Sequence, residues 1–244
     1  MSMRSETETG GQVGRGAASE AGTNSAPALA LPPPATRPGS SEEPERSFIE
    51  QARRAQIIAA AVEVIADVGY GKASLAAIAA RAGISKGVIS YHFAGKNELI
   101  ERVVIDIFTT GAEYMIERIL AAPTPREMLR AYLVSNIEFI DRSRREMVAL
   151  GEILVSHRKP DGTLFWGVAE EQPAIDSLTE LFEWGQREGA FRDFDKRVMA
   201  VAIRRAIDGF PPQMLANPDL DASAFAEELV TLFDRATRKG DEDS

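Results

Sequence analysis

From Ser47 to Arg238 apolar residues recur at the helical period with no stretch of strand-like alternation, and this narrows the available folds most. In SFIEQARRAQIIAAAVEVIADVGY, Ile58, Ala61, Val62, Ile65 and Val68 fall at i, i+3, i+4, i+7 and i+10, one face of a first helix closed by Gly69. Ser74 is a good N-cap for a second helix of about two turns, with Leu75, Ile78, Ala79 and Ala82 on its inner face. Gly83 supplies a turn, Ser85 can cap the segment after it, and KGVISYHF reads as a third short helix before the Ala94-Gly95 break. Three helices thus fit within about 45 residues.

The turn itself, GISKG, also satisfies G-x-S-x-G, the pattern that presents a nucleophilic serine at the top of a hydrolase sheet. That chemistry needs a buried strand running into the glycine, whereas AAIAARA precedes it and alanine favours helix. It also needs a histidine within reach, and the chain has two, His92 in the same short helix and His157. A hydrolase using Ser85 with His157 is therefore the outlying alternative, and an enzyme is not expected. A second alternative is an all-helical interaction protein that has lost DNA binding.

Two short helices joined by a tight glycine turn let the second lie in the major groove while the first braces it across the backbone. Here the segment SLAAIAARAGISKGVISYHFAGKNELI, residues 74 to 100, resembles the TetR family of bacterial transcriptional regulators. That family's signature runs from Thr or Ser before helix two, through I-A-x-x-A-G-V-S-x-G, to an aromatic-rich recognition helix and a lysine opening helix four. GQREGAFRDFD, residues 185 to 195, resembles the turn before the family's last helices. The chain departs from the pattern in having Ser90 where a tyrosine is usual, with Tyr91 beside it, and Ala76 and Ala77 where polar residues are usual.

The chemistry of each position suggests its role on DNA. Ser74 and Ser85 place helix N-termini, with their unpaired N–H donors, where phosphate is attracted. Gly87 has no side chain to hold the recognition helix away from the duplex. Lys86 and Ser90 can reach base edges and Val88 a thymine methyl. Tyr91, His92 and Lys96 offer donors or charge to phosphate oxygens. Tyr91 and Phe93 can alternatively be core aromatics, Phe93 being aligned with Ile89 at i+4; His92 can be structural; Arg53 and Arg54 can meet the DNA backbone or only solvate helix one.

Beyond Lys96 the pattern reads as a long helix ending before Pro123, with Ile100, Val103, Val104, Ile107 and Tyr114 inward, which leaves no flexible linker. Further helices are expected near 125–142, 144–157, 170–188, 196–209 and 222–238. The last carries Phe225, Leu229, Leu232, Phe233 and Ala236 on one stripe; GFPP at 209–212 interrupts the penultimate helix and implies a kink or a second short helix. The expected architecture is all-α: a three-helix helix-turn-helix domain (47–95), then a larger helical effector-binding and dimerisation domain (96–239). The resemblance implies a homodimer, double-stranded DNA with a palindromic operator as partner, and a pocket for a small apolar or amphipathic effector. Phe108, Met115, Phe139, Phe165, Trp166 and Trp184 are the candidate pocket residues, core packing being the competing role for each. It also implies a repressor whose two heads, about one helical turn or roughly 34 Å apart, are re-spaced by that effector.

Net charge is −9, which argues against a chain that coats nucleic acid through bulk positive charge. By segment the balance is −2 over residues 1–47, +2 over 48–98 and −9 over 99–244, so the helix-turn-helix segment alone is net positive. Residues 1–46 are rich in Gly, Ala, Ser, Pro and Glu and read as a disordered arm, and 240–244 as a disordered acidic tail. With no cysteine, no export signal and no long apolar run, a cytoplasmic chain without membrane partner is expected. No metal-ligand spacing or phosphate loop stands out, and no cofactor is expected.

Overall fold

Helical periodicity becomes ten α-helices in the computed structural model, which describes residues 44–239; most of the expected N-terminal arm and the tail at 240–244 lie outside the described residues. The first helix, α1 (Pro44–Val68), starts inside the expected arm, because proline at a helix start loses no hydrogen bond and already has helical φ. Its buried surface is wider than the single face read from the sequence: Ile57, Ala60 and Val64 join Ile58, Ala61, Val62 and Ile65, whereas Val68 is exposed. The width follows from its neighbours, since α1 packs against α2 (Leu75–Ala82) and α4 (Lys96–Leu120) and also against α6 (Arg144–Ser156). Gly69 at φ 80° ends it.

The short helices α2 and α3 (Lys86–His92) complete a head whose core is Ile57, Ile65, Ile78, Ile89, Phe93 and Leu99. From there α4 continues as 25 residues into the second part of the molecule, packing on α1 near its start and on α5 (Pro125–Arg142) further along. Tyr114, expected inward on α4, is half-buried, its hydroxyl donating to Glu138 at 3.1 Å. Thr124 caps α5 by accepting from the Glu127 amide at 3.3 Å while donating to its carboxylate at 2.7 Å.

α5 lies at the centre of the larger domain, against α4, α7 (Val168–Arg187) and α10 (Ala222–Thr237). α7 packs on α8 (Lys196–Asp208), and a cluster of Phe182, Phe191 and Phe194 closes the turn between them. The Phe191 ring lies directly against Gly185, where any Cβ would overlap it. The GFPP interruption gives the second short helix, α9 (Phe210–Ala216), with Phe210 and Met214 buried. On α10 the side packed within the chain is Ala226, Leu229, Phe233 and Thr237, at spacings of three and four; Leu232 of the expected stripe is 57% exposed in this single chain. No helix among the described residues is long and apolar enough to cross a membrane.

Candidate nucleic-acid interface

The turn between α2 and α3 is built by glycine geometry. Gly83 adopts φ 66°, its amide bonds the Ala80 carbonyl at 3.2 Å, and the Ile84 amide bonds the Ala79 carbonyl at 3.0 Å. These two bonds are the Schellman pair that terminates a helix on a left-handed residue. From α1, Gln56 donates to the Ala82 carbonyl at 2.8 Å, so another of the helix-end acceptors is filled too.

At the start of α2 the Ser74 hydroxyl accepts from the Ala77 amide at 3.1 Å, the N-cap that its sequence position implies. Ser85 differs from that expectation: its backbone is extended, but its hydroxyl caps nothing and is exposed. The Val88 amide is satisfied by the Ser85 carbonyl at 3.1 Å instead. A Cβ on Gly87 would lie 3.6 Å from the Ser85 hydroxyl oxygen, an ordinary contact, so nothing within the head requires glycine there.

α3 is split sharply between an inner and an outer side. Ile89 is fully buried and Phe93, just past the helix, is 2% exposed, whereas Ser85, Lys86, Gly87 and Ser90 are exposed and Tyr91 is 80% exposed. Val88 and His92 are half-buried at the edges. Of the two aromatics, therefore, Phe93 is core and Tyr91 is surface, its ring edge-on to His92 with centroids 5.0 Å apart. Tyr91 and His92, with Ile49, Glu50 and Arg53 of α1, line a shallow groove of about 320 Å³.

The paired arginines of α1 separate in the same way. Arg54 donates to the His92 carbonyl at 2.5 Å, lies 4.4 Å over the Phe93 ring and faces Glu98 at 3.9 Å, tying the end of α3 to α1. Arg53 bonds Gln56 at 2.6 Å on the surface and faces the groove. Lys96 is half-buried; its ammonium donates to the Tyr70 carbonyl at 2.9 Å and lies 4.5 Å over the Tyr70 ring, and burial lowers its pKa below the ordinary lysine value. The sequence signalled its charge but not this partner, because nothing local links residues 70 and 96.

Ser85 follows α2 and a turn, not a strand, so the scaffold of a nucleophile elbow is missing from this position. His157 faces Tyr70, whose hydroxyl lies 2.8 Å from its Nδ1. Of the six candidate pocket residues, three come together: Phe108 stacks on Trp166 at 5.5 Å and Trp166 meets Phe165 at 5.8 Å. Phe139 packs beside Tyr114 at 6.0 Å and against Gly111, Met115 is half-buried against the core, and Trp184 is buried with its indole N–H unpaired.

Residues 57–103 match the family model for bacterial regulatory proteins of the tetR family, a stretch that runs from the middle of α1 through α2 and α3 to the start of α4. The HTH-type transcriptional regulator BetI of Pseudomonas aeruginosa is 31% identical over 159 residues, covering 64% of this chain and 75% of the relative. The chain belongs to the TetR family. BetI 1 of Chromohalobacter salexigens is 34% identical over 130 residues, 53% of this chain and 58% of that protein, so this chain spans little more than half the length of that relative. The fold of this TetR-family chain is also that of the FadR regulator of Bacillus subtilis in complex with stearoyl-CoA. That structure has a TM-score of 0.65 and 23% identity, covering 73% of this chain and 96% of the other. The helix-turn-helix is thus the DNA-binding element of a TetR-family transcriptional regulator, carried by a larger helical domain.

Proposed function

We propose that this regulator docks α3 in the major groove of a palindromic operator as a homodimer, and that a small effector releases it. The exposed residues Lys86, Gly87, Ser90 and Tyr91, on the solvent side of a helix anchored by the buried Ile89, carry this reading. Lys86 and Ser90 are the base-edge readers, and Val88 sits where it meets a thymine methyl. Bare Gly87 lets the helix backbone approach the bases. Ser74, Ser85, Tyr91, His92 and Lys96 position the head on phosphates. Lys96 does so with the ammonium protons that Tyr70 leaves free. Arg53 joins them from α1.

The dimer surface is formed by α8 and α10, which expose Val198, Val201 and Leu232 to solvent in the isolated chain. The effector is apolar or amphipathic and meets the patch of Phe108, Phe165 and Trp166; the acyl-CoA in the FadR neighbour has that character. The domain boundaries that fit this division of labour are 47–95 and 96–239, α4 joining the two. Selection of bound fragments from random duplex DNA tests the whole reading. A recovered palindrome whose half-sites lie about one helical turn apart is the expected result. Recovery of no preferred sequence, with no salt-dependent retention on random duplex, would leave an interaction protein instead.

A further inference from the structure

Tyr70, in the turn between α1 and the N-cap of α2, has each of its polar groups held, two of them by the α6 segment of the larger domain and one by Lys96 where α4 leaves the head. Its amide donates to Glu152 of α6 at 3.2 Å, its carbonyl accepts from Lys96 of α4 at 2.9 Å, and its hydroxyl lies 2.8 Å from Nδ1 of His157, just past α6. Four residues later Ser74 starts α2, so the position of this turn sets that of the helix-turn-helix.

His157 is 3% exposed, and its environment fixes the direction of the hydrogen bond. The Glu101 carboxylate lies 3.5 Å from Nε2, unaligned as an acceptor but close enough to favour a proton on that nitrogen. Nδ1 is then the bare acceptor and the Tyr70 hydroxyl the donor. Burial raises the Tyr70 pKa above its ordinary value, which keeps the phenol protonated for that role.

The other side of the same imidazole faces the aromatic patch. Its ring centroid lies 5.1 Å from that of Phe165, and the Phe165 amide donates to the His157 carbonyl at 3.0 Å. Phe165 then meets Trp166, which stacks on Phe108 of α4. Displacement of Phe165 must therefore move His157 through both its ring and its backbone.

We propose that His157 is a positioning residue for DNA binding: it relays the state of the Phe108–Phe165–Trp166 patch to the head by holding or releasing the Tyr70 hydroxyl. The inference rests on the DNA-binding reading for its consequence, but the link itself is mechanical. The acceptor is buried although the Tyr70 hydroxyl is only half-buried, so parting the two by an ångström leaves Nδ1 of His157 without its donor inside the protein, and the turn has two distinct arrangements, held and released.

The chain has no cysteine, so Ala80→Cys on α2 and Glu180→Cys on α7, both at exposed positions, accept spin labels at unique sites. The distance between them, measured within single labelled chains diluted in unlabelled protein, reads the coupling of head to body. A narrow distribution is expected for the parent and a broad one for Tyr70→Phe and His157→Leu. His157→Asn, whose side-chain oxygen can stand in for Nδ1, is expected to restore the narrow one. Phe165→Ala, standing in for a displaced patch, should broaden the distribution in the parent and add nothing in Tyr70→Phe. Affinity for the selected operator should follow the same order, with a loss of about fivefold for each broadened variant. An unchanged width in Tyr70→Phe, or a Phe165→Ala effect that adds in full on top of it, would overturn the proposal. Should the parent select no duplex, the DNA reading fails while the distance measurement still decides the link.

Discussion

Arg145 in α6 donates to Asp67 in α1 at 2.6 Å, joining two helices whose partners lie 78 residues apart in sequence. The same guanidinium bonds Glu63 at 2.6 Å, and Arg81 of α2 reaches Asp67 at 2.6 Å from the other side. Three helices from two domains thus share one ionic cluster at the junction.

Those two arginines hold the Asp67 carboxyl below its ordinary pKa, hydrogen bonding from Arg145 being the largest cause and that from Arg81 the next. Because the folded-state value is the lower one, the stabilisation is present above the ordinary carboxylate value of about 4 and is lost as pH falls through the folded-state value. Thermal melting of Asp67→Asn and Arg145→Ala is expected to show a modest loss of Tm near neutral pH. The loss should shrink below about pH 4 and at high salt, since the cluster is open to solvent. A deficit that persists unchanged in acid would mean that packing, not charge, is responsible.

Lys86→Ala and Lys96→Ala separate two kinds of lysine on the head. Lys86 is exposed, so its loss is expected to reduce the slope of log affinity against log salt by about one and leave Tm unchanged. Lys96 also satisfies the Tyr70 carbonyl, so its removal should lower both the salt slope and the melting temperature. Filter binding across a salt series, with calorimetry on the same samples, distinguishes them.

Gly111 of α4 faces Phe139 of α5, and an added Cβ would lie 2.8 Å from Cε1 of that ring. Gly111→Ala is expected to destabilise the chain by about 1–3 kcal/mol in urea unfolding, despite alanine's better helix propensity. Gly111→Ala combined with Phe139→Leu should recover part of the loss, because the smaller side chain makes room.

Leu232→Glu and Val201→Glu place a charge on surfaces that are 57% and 38% exposed in the single chain. If α8 and α10 pair with a second copy, each substitution shifts sedimentation toward monomer without lowering the helical content. Operator affinity should then fall by about 10²-fold, because one head no longer brings the other to its half-site.

Much of this architecture is legible locally. The helix ends at Gly69 and Gly83, the Ser74 cap, the exposed residues of α3 and the second short helix after Gly209 all follow from residues within a few positions of one another. What the sequence hides is long-range. The roles of Arg54 on the His92 carbonyl and of His157 on Tyr70 depend on contacts spanning 38 and 87 residues, for which a single sequence carries no periodic signal. The extra buried width of α1 is hidden for the same reason, since α6 covers a face that alanines leave ambiguous. The six bulky residues proposed for a pocket show the converse: size alone singles out Phe108, Phe165 and Trp166, which do meet, but also Phe139, which fills the notch at Gly111, and Trp184, which is buried.

The 25 residues of α4 make an unbroken rod about 37 Å long, with Lys96 at one end and Leu120 at the other. A rod of that length is a lever: tilting it by about 5° swings one end by about 3 Å relative to the other. A shift too small to disturb the packing around α5 is thereby magnified at the reading head, where it is comparable with the rise of one base pair.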